Sequence, residues 1–113
     1  MKVIDKMGAQ GDVMFIRVES LPVGLTPAEK KDGRYVVAHS ETQHDHVVDS
    51  RNAELLIDRT NDFIAYLQVR GEGVEVKHLR SFDTHESLFL PKGNYQVRRQ
   101  REYVPEGYRR AAD

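Results

Sequence analysis

A chain of 113 residues with 39% hydrophobic and 31% charged side chains is sized for one soluble domain with a modest core, and that balance excludes a disordered polyelectrolyte. The formal net charge is −1, and the absence of cysteine removes disulfides, thiolate metal sites and cysteine nucleophiles from consideration. The opening Met1-Lys2-Val3-Ile4-Asp5-Lys6 has no apolar run of signal-peptide type, and no segment reaches membrane-spanning length, so the cytoplasm of a cell or an infected host is the expected setting.

Period-two patterning dominates the chain. Gly11-Asp12 opens the run Val13-Met14-Phe15-Ile16-Arg17-Val18, which reads as a first strand. Leu21 to Gly33 is a connection broken by Pro22, Gly24, Pro27 and Gly33. Within it, Thr26-Pro27-Ala28-Glu29 has the form of a capping box with proline at the first helical position, which predicts about one helical turn near Thr26–Lys31. Strand-like runs follow at Arg34–His39, His44–Val48, Ala53–Ile57, Asp62–Val69 and Val74–Leu79. Asp49-Ser50-Arg51-Asn52 and Asn61-Asp62 read as turns, and Gly71-Glu72-Gly73 predicts a hairpin between the runs on either side of it. Leu88-Phe89-Leu90 leads through the turn Pro91-Lys92-Gly93-Asn94 into a long strand, Tyr95–Val104. Tyr108–Asp113 reads as a frayed tail. Many short strands at close spacing predict a single all-β domain over residues 1–113, a small barrel or sandwich of antiparallel strands.

Alternation also assigns faces. Val74, Val76 and His78 share one side of their strand, and His44, His46 and Val48 share one side of theirs. Ala53, Leu55 and Ile57 look inward, as do Phe63, Ala65, Leu67 and Val69. Three of the five histidines therefore fall on core-side positions, where imidazole nitrogens need partners. All five lie in two short segments, His39–His46 and His78–Glu86. Two histidines two residues apart on a strand project to one side and can clasp one ion, so His44, His46, His78 and His85 are the candidate metal ligands, with a divalent cation of zinc type as the cofactor. Glu86 and Glu41 are the candidate catalytic bases, Glu41 also serving as an alternative oxygen ligand. Hydrogen-bonded structural histidines are the competing reading.

The end of the chain is basic: Lys92 to Ala112 holds six Lys/Arg against Glu102 and Glu106. Tyr95, Val97, Arg99, Arg101 and Tyr103 alternate onto one face, a pattern that can stack bases and neutralise phosphates. An edge strand whose charges deter aggregation, or which pairs with the acidic remainder of the chain, is the expected alternative. With net charge near zero and no nucleic-acid-binding motif, nucleic acid is not the expected partner; an unidentified protein or small molecule is, and self-association is open.

The succession Gly11-Asp12-Val13, Ala38-His39-Ser40-Glu41-Thr42-Gln43-His44-Asp45-His46, His85-Glu86, Leu90-Pro91-Lys92-Gly93-Asn94-Tyr95-Gln96-Val97 and Gln100-Arg101-Glu102-Tyr103 resembles an uncharacterised family of small phage and bacterial proteins with no established activity. The resemblance spans most of the chain and implies a phage or bacterial origin without a mechanism. His44-x-His46 and Pro91-x-Gly93 are also similar to fragments of the two cupin motifs. The glutamate and the third histidine of that site are missing here, so a cupin metal site is not implied. The expectation is a small accessory protein with a histidine-rich pocket. A metal-assisted hydrolase or isomerase, and an assembly module working through the basic last strand, are the alternatives.

Overall fold

The computed structural model describes residues 2–38, 45–78 and 87–99, with His78 described by its backbone. Eleven strands and no helix are found among them: β1 (Lys2–Val3), β2 (Met7–Gln10), β3 (Val13–Val18), β4 (Thr26–Pro27), β5 (Arg34–Ala38), β6 (His46–Asp49), β7 (Ala53–Ile57), β8 (Ile64–Val69), β9 (Val74–His78), β10 (Leu88–Leu90) and β11 (Gly93–Arg99). They form a five-stranded sheet in the order β1-β10-β9-β6-β5 and a six-stranded sheet in the order β2-β3-β11-β8-β7-β4. Every pairing is antiparallel except β1 with β10. The two sheets pack as a sandwich rather than closing into a barrel.

The core lies between the sheets and is built by the inward half of each alternating strand. Val13 and Phe15 of β3, Leu55 of β7, Ala65, Leu67 and Val69 of β8, and Tyr95 and Val97 of β11 come from one sheet. Val37, Val48, Val74, Val76, Leu88 and Leu90 meet them from the other. Strand period two thus delivers a continuous apolar layer, which is the dominant stabilising term. Ile57 and Phe63, expected inside, are 39% and 45% exposed. They flank the loop joining β7 to β8, beyond the last fully covered pair, Ile57 being registered with Ala65.

Two local expectations fail for identifiable reasons. Residues Thr26–Lys31 contain no helical turn. Thr26 and Pro27 pair as an edge strand with Ile57 and Leu56, and the Ala28 N–H donates to the Leu55 carbonyl at 2.9 Å. A single turn gains too few hydrogen bonds to outweigh its nucleation cost, whereas a sheet edge tolerates proline because no donor is needed on its outer side. Gly71-Glu72-Gly73 is likewise no hairpin turn. β8 belongs to the six-stranded sheet and β9 to the five-stranded one, so this segment carries the chain from one sheet to the other. Gly73 adopts φ +99°, and a Cβ there would strike the Phe89 ring and come within 2.8 Å of the Leu90 carbonyl oxygen. The Asn52 side-chain amide donates to the Gly73 carbonyl at 3.2 Å, and the Arg70 N–H to the Asn52 carbonyl at 2.7 Å, pinning the crossing in place.

Arg17 secures two further crossings. It lies on the core side of β3, and its Nε donates to the Asp5 carbonyl (2.9 Å) between β1 and β2. The two terminal nitrogens reach the Lys92 carbonyl (3.1 Å) and the Tyr95 hydroxyl (2.8 Å) between and at the start of β10 and β11.

Candidate functional site

His46 is the first residue of β6. Its Cα partners are Ala38, the last residue of β5, and His78, the last residue of β9. Because β6 and β9 run antiparallel, the chain enters β6 and leaves β9 at the same end of the five-stranded sheet. The connections 39–45 and 79–87, which join β5 to β6 and β9 to β10, therefore start from neighbouring strand ends. Strand register thus sets His46 beside His78, one described residue from each histidine-bearing stretch of the sequence.

Within the described residues, His46 and Gln10 are the buried polar side chains, at 1% and 2% exposure, and they touch. His46 Nδ1 lies 2.8 Å from Gln10 Oε1, while Gln10 Nε2 donates to the Val76 carbonyl at 3.1 Å. Gln10 comes from β2 at the edge of the six-stranded sheet; His46 and Val76 belong to the five-stranded sheet. The expected inward orientation of His46 and Val48 holds, both being buried. Gln10 carries no chemical signature in the sequence. The available sign is its position two residues beyond Gly8, on the side of β2 that turns toward the core.

The other candidates divide as follows. His78 is registered against His46 by backbone. His44, His85, Glu41 and Glu86 lie outside the described residues, as do His39, Arg101, Tyr103 and Tyr108–Asp113. Among the described residues, no three histidine, aspartate or glutamate side chains form a group that could hold a metal ion.

The basic last strand is engaged internally at Arg99. Its Nε donates to the Val37 carbonyl and a terminal nitrogen to the Asp62 carbonyl, each at 2.9 Å. Burial pushes this guanidinium down from its usual value, partly opposed by the Asp62 charge. Arg98, on the outer face, donates to Gln96 Oε1 at 2.8 Å.

A groove of about 450 Å³ crosses the outer face of the five-stranded sheet, bordered by Arg34, Asp49, Arg51, Glu75 and Lys77. Its charges are already partnered in part. The Arg51 N–H donates to Asp49 Oδ1 at 2.8 Å and the guanidinium adds contacts of 3.2 and 3.3 Å, which hold the Asp49 carboxyl below its ordinary value. Both residues are well exposed, so this pair adds little to stability.

Residues 9–100 match the family model described as a domain of unknown function (DUF8820). No curated protein and no solved structure matches the chain.

Proposed function

We propose that this chain, a member of the DUF8820 family of domains of unknown function, is a small phage or bacterial accessory protein that takes up a divalent metal ion at the end of the five-stranded sheet marked by His46 and His78. The observation that carries the reading is the register of those two residues. It sets side by side the strand ends from which 39–45 and 79–87 depart, the segments holding His44, His85, Glu41 and Glu86. Imidazole and carboxylate donors of this kind suit zinc or nickel, and because imidazoles bind in their neutral form, uptake depends on pH.

The test is elemental analysis of protein purified without a histidine tag, together with thermal melting in the presence of zinc, nickel or manganese. Zinc is expected to raise the melting temperature, His44→Ala and His85→Ala to reduce that rise, and occupancy to fall as pH drops through about 6.5, where imidazoles protonate. If none of the three ions shifts the melting temperature, the reading is wrong.

A further inference from the structure

Four strands lie at the edges of the two sheets: β1 and β5 in one, β2 and β4 in the other. Three of them are blunted in ways that discourage further pairing. β1 and β4 are two residues long, and β4 contains Pro27. β5 carries a register shift between Val36 and Ala38. Lys31 takes both backbone groups of Arg34, and the Arg99 guanidinium takes the Val37 carbonyl. β2 has none of these devices. Its residues, Met7-Gly8-Ala9-Gln10, pair with β3 without a shift and include no charge and no proline.

Register sets what β2 presents. The Arg17 N–H donates to the Lys6 carbonyl at 2.8 Å, so these two form a hydrogen-bonded pair. Every second step along the ladder does the same, Gly8 with Phe15 and Gln10 with Val13. Met7 and Ala9 therefore turn their N–H and C=O groups away from β3, and among the described residues nothing takes them. Their side chains lie on the outer face of the sheet, Met7 being 58% exposed. Ile16 and Met14 sit beside them on that face, whereas the next strand places Gln96 and Arg98 there. The outer face turns apolar where it meets the open edge.

We infer that β2 is a self-pairing edge: two copies of this chain join antiparallel through β2, about a two-fold axis at Gly8, and make one continuous sheet of their two six-stranded sheets. The outward groups dictate this register. Met7 of each copy faces Ala9 of the other, which pairs all the outward N–H and C=O groups of both strands. An axis at Met7 would set Ala9 against Asp5, whose carbonyl already accepts from Arg17 Nε. One at Ala9 would set Met7 against the turn residue Gly11. With the axis at Gly8, Met7 and Ala9 of the two copies meet on the outer face, flanked by Ile16 and Met14 of each. The contact that pairs the backbones thus also covers the apolar end of that face. Lys6 falls diagonally across from Asp12 of the second copy, so the flanking charges are complementary. This self-complementarity is what a two-fold contact requires, and it favours a second copy over a foreign strand.

The test uses the untagged chain. Sedimentation velocity from micromolar to millimolar concentration is expected to show a reversible monomer–dimer equilibrium. In amide hydrogen exchange, Met7 and Ala9 are expected to be protected at high concentration and to exchange rapidly on dilution. Gly8 and Gln10, bonded to β3, should stay protected at both. Ala9→Pro removes a donor that β3 does not use, so the fold is kept and the Kd of the dimer is expected to rise at least about 10-fold. Met7→Lys, at an exposed position, sets like charges diagonally across the axis and should weaken the dimer comparably. A native chain that is monomeric throughout overturns the inference. So does a dimer in which Met7 and Ala9 exchange freely, or one that both variants leave intact. Protection of those two amides in the monomer also counts against it, since the edge would then be covered from within the chain. If Ala9→Pro does not fold, Met7→Lys and the exchange pattern decide.

Discussion

The Arg99 guanidinium and the Val37 carbonyl join the two sheets at the end of β11, through an Nε–O contact of 2.9 Å. Val37 is fully buried, and Arg99 also donates to the Asp62 carbonyl at 2.9 Å. Arg99→Ala leaves the Val37 carbonyl without this charged donor and is expected to cost about 2 kcal/mol in urea denaturation. Arg99→Lys should recover only part of that, because a single ammonium cannot span two carbonyls as a planar fork does. An Arg99→Ala protein as stable as the native one would remove this contact from the account of stability.

The same geometry bears on the basic strand as a nucleic-acid surface. Arg99 turns its Nε and a terminal nitrogen to backbone carbonyls, and Arg98 engages Gln96. Fluorescence anisotropy with a single-stranded oligonucleotide should show no binding at physiological ionic strength. Tight binding that falls steeply with salt and vanishes in Arg99→Ala would contradict this.

Tyr95 has a buried ring whose hydroxyl donates to the Pro91 carbonyl at 2.6 Å and accepts from Arg17 at 2.8 Å. Tyr95→Phe removes both bonds and is expected to cost about 1–2 kcal/mol. Burial pushes the phenol above its ordinary value of 10.0, with Arg17 opposing. The sign follows from linkage: the neutral phenol is favoured in the folded state, so its contribution is fully present below pH 10.0 and is lost as pH rises from there through the higher folded value. The difference in stability between native and Tyr95→Phe proteins should therefore shrink above that pH. A difference that stays constant across the alkaline range would sink the assignment.

Gly73 and Gly24 separate backbone strain from crowding. Both have positive φ, at +99° and +85°, but a Cβ at Gly24 meets nothing within 4 Å, whereas one at Gly73 runs into the Phe89 ring and the Leu90 carbonyl. Gly24→Ala is expected to cost about 1 kcal/mol, for the left-handed backbone alone. Gly73→Ala carries the same penalty plus displacement of β10 backbone, and about 3 kcal/mol or more is expected. Equal losses in the two variants, measured by denaturant unfolding, would mean that the crossing after β8 adjusts freely.

Much of this architecture was legible, and the illegible parts share a cause. Ala53–Ile57 and Val13–Val18 read as strands with the bounds they have, and the inward sides of β6, β8 and β9 followed from alternation. Alternation reports which side of a strand faces the core, not which strand lies beside it. A glycine-rich turn between two strand runs looks the same whether it closes a hairpin or carries the chain across a sandwich, so Gly71–Gly73 misled. β1 and β4 are two-residue strands, too short for any periodicity, and Thr26-Pro27-Ala28-Glu29 meets a local helix rule that sheet pairing overrides. His46 was visible as an inward histidine. Gln10 was not, because its role depends on a contact between residues 36 apart in sequence and in different sheets. Arg17 could have been noticed as a charge on the inward side of an apolar strand.

The place of β11 sets the order in which this protein can be made. It lies between β3 and β8, so without it the six-stranded sheet falls into two pieces, β2-β3 and β8-β7-β4. It is also the C-terminal strand of the described residues. During synthesis, β3 and β8 must wait with unsatisfied edges until residues 93–99 have cleared the ribosome, and only then can the sandwich close. The nascent chain is thus exposed to edge-to-edge association until that strand has emerged. Folding is gated by the emergence of one late strand rather than by the progressive growth of a core.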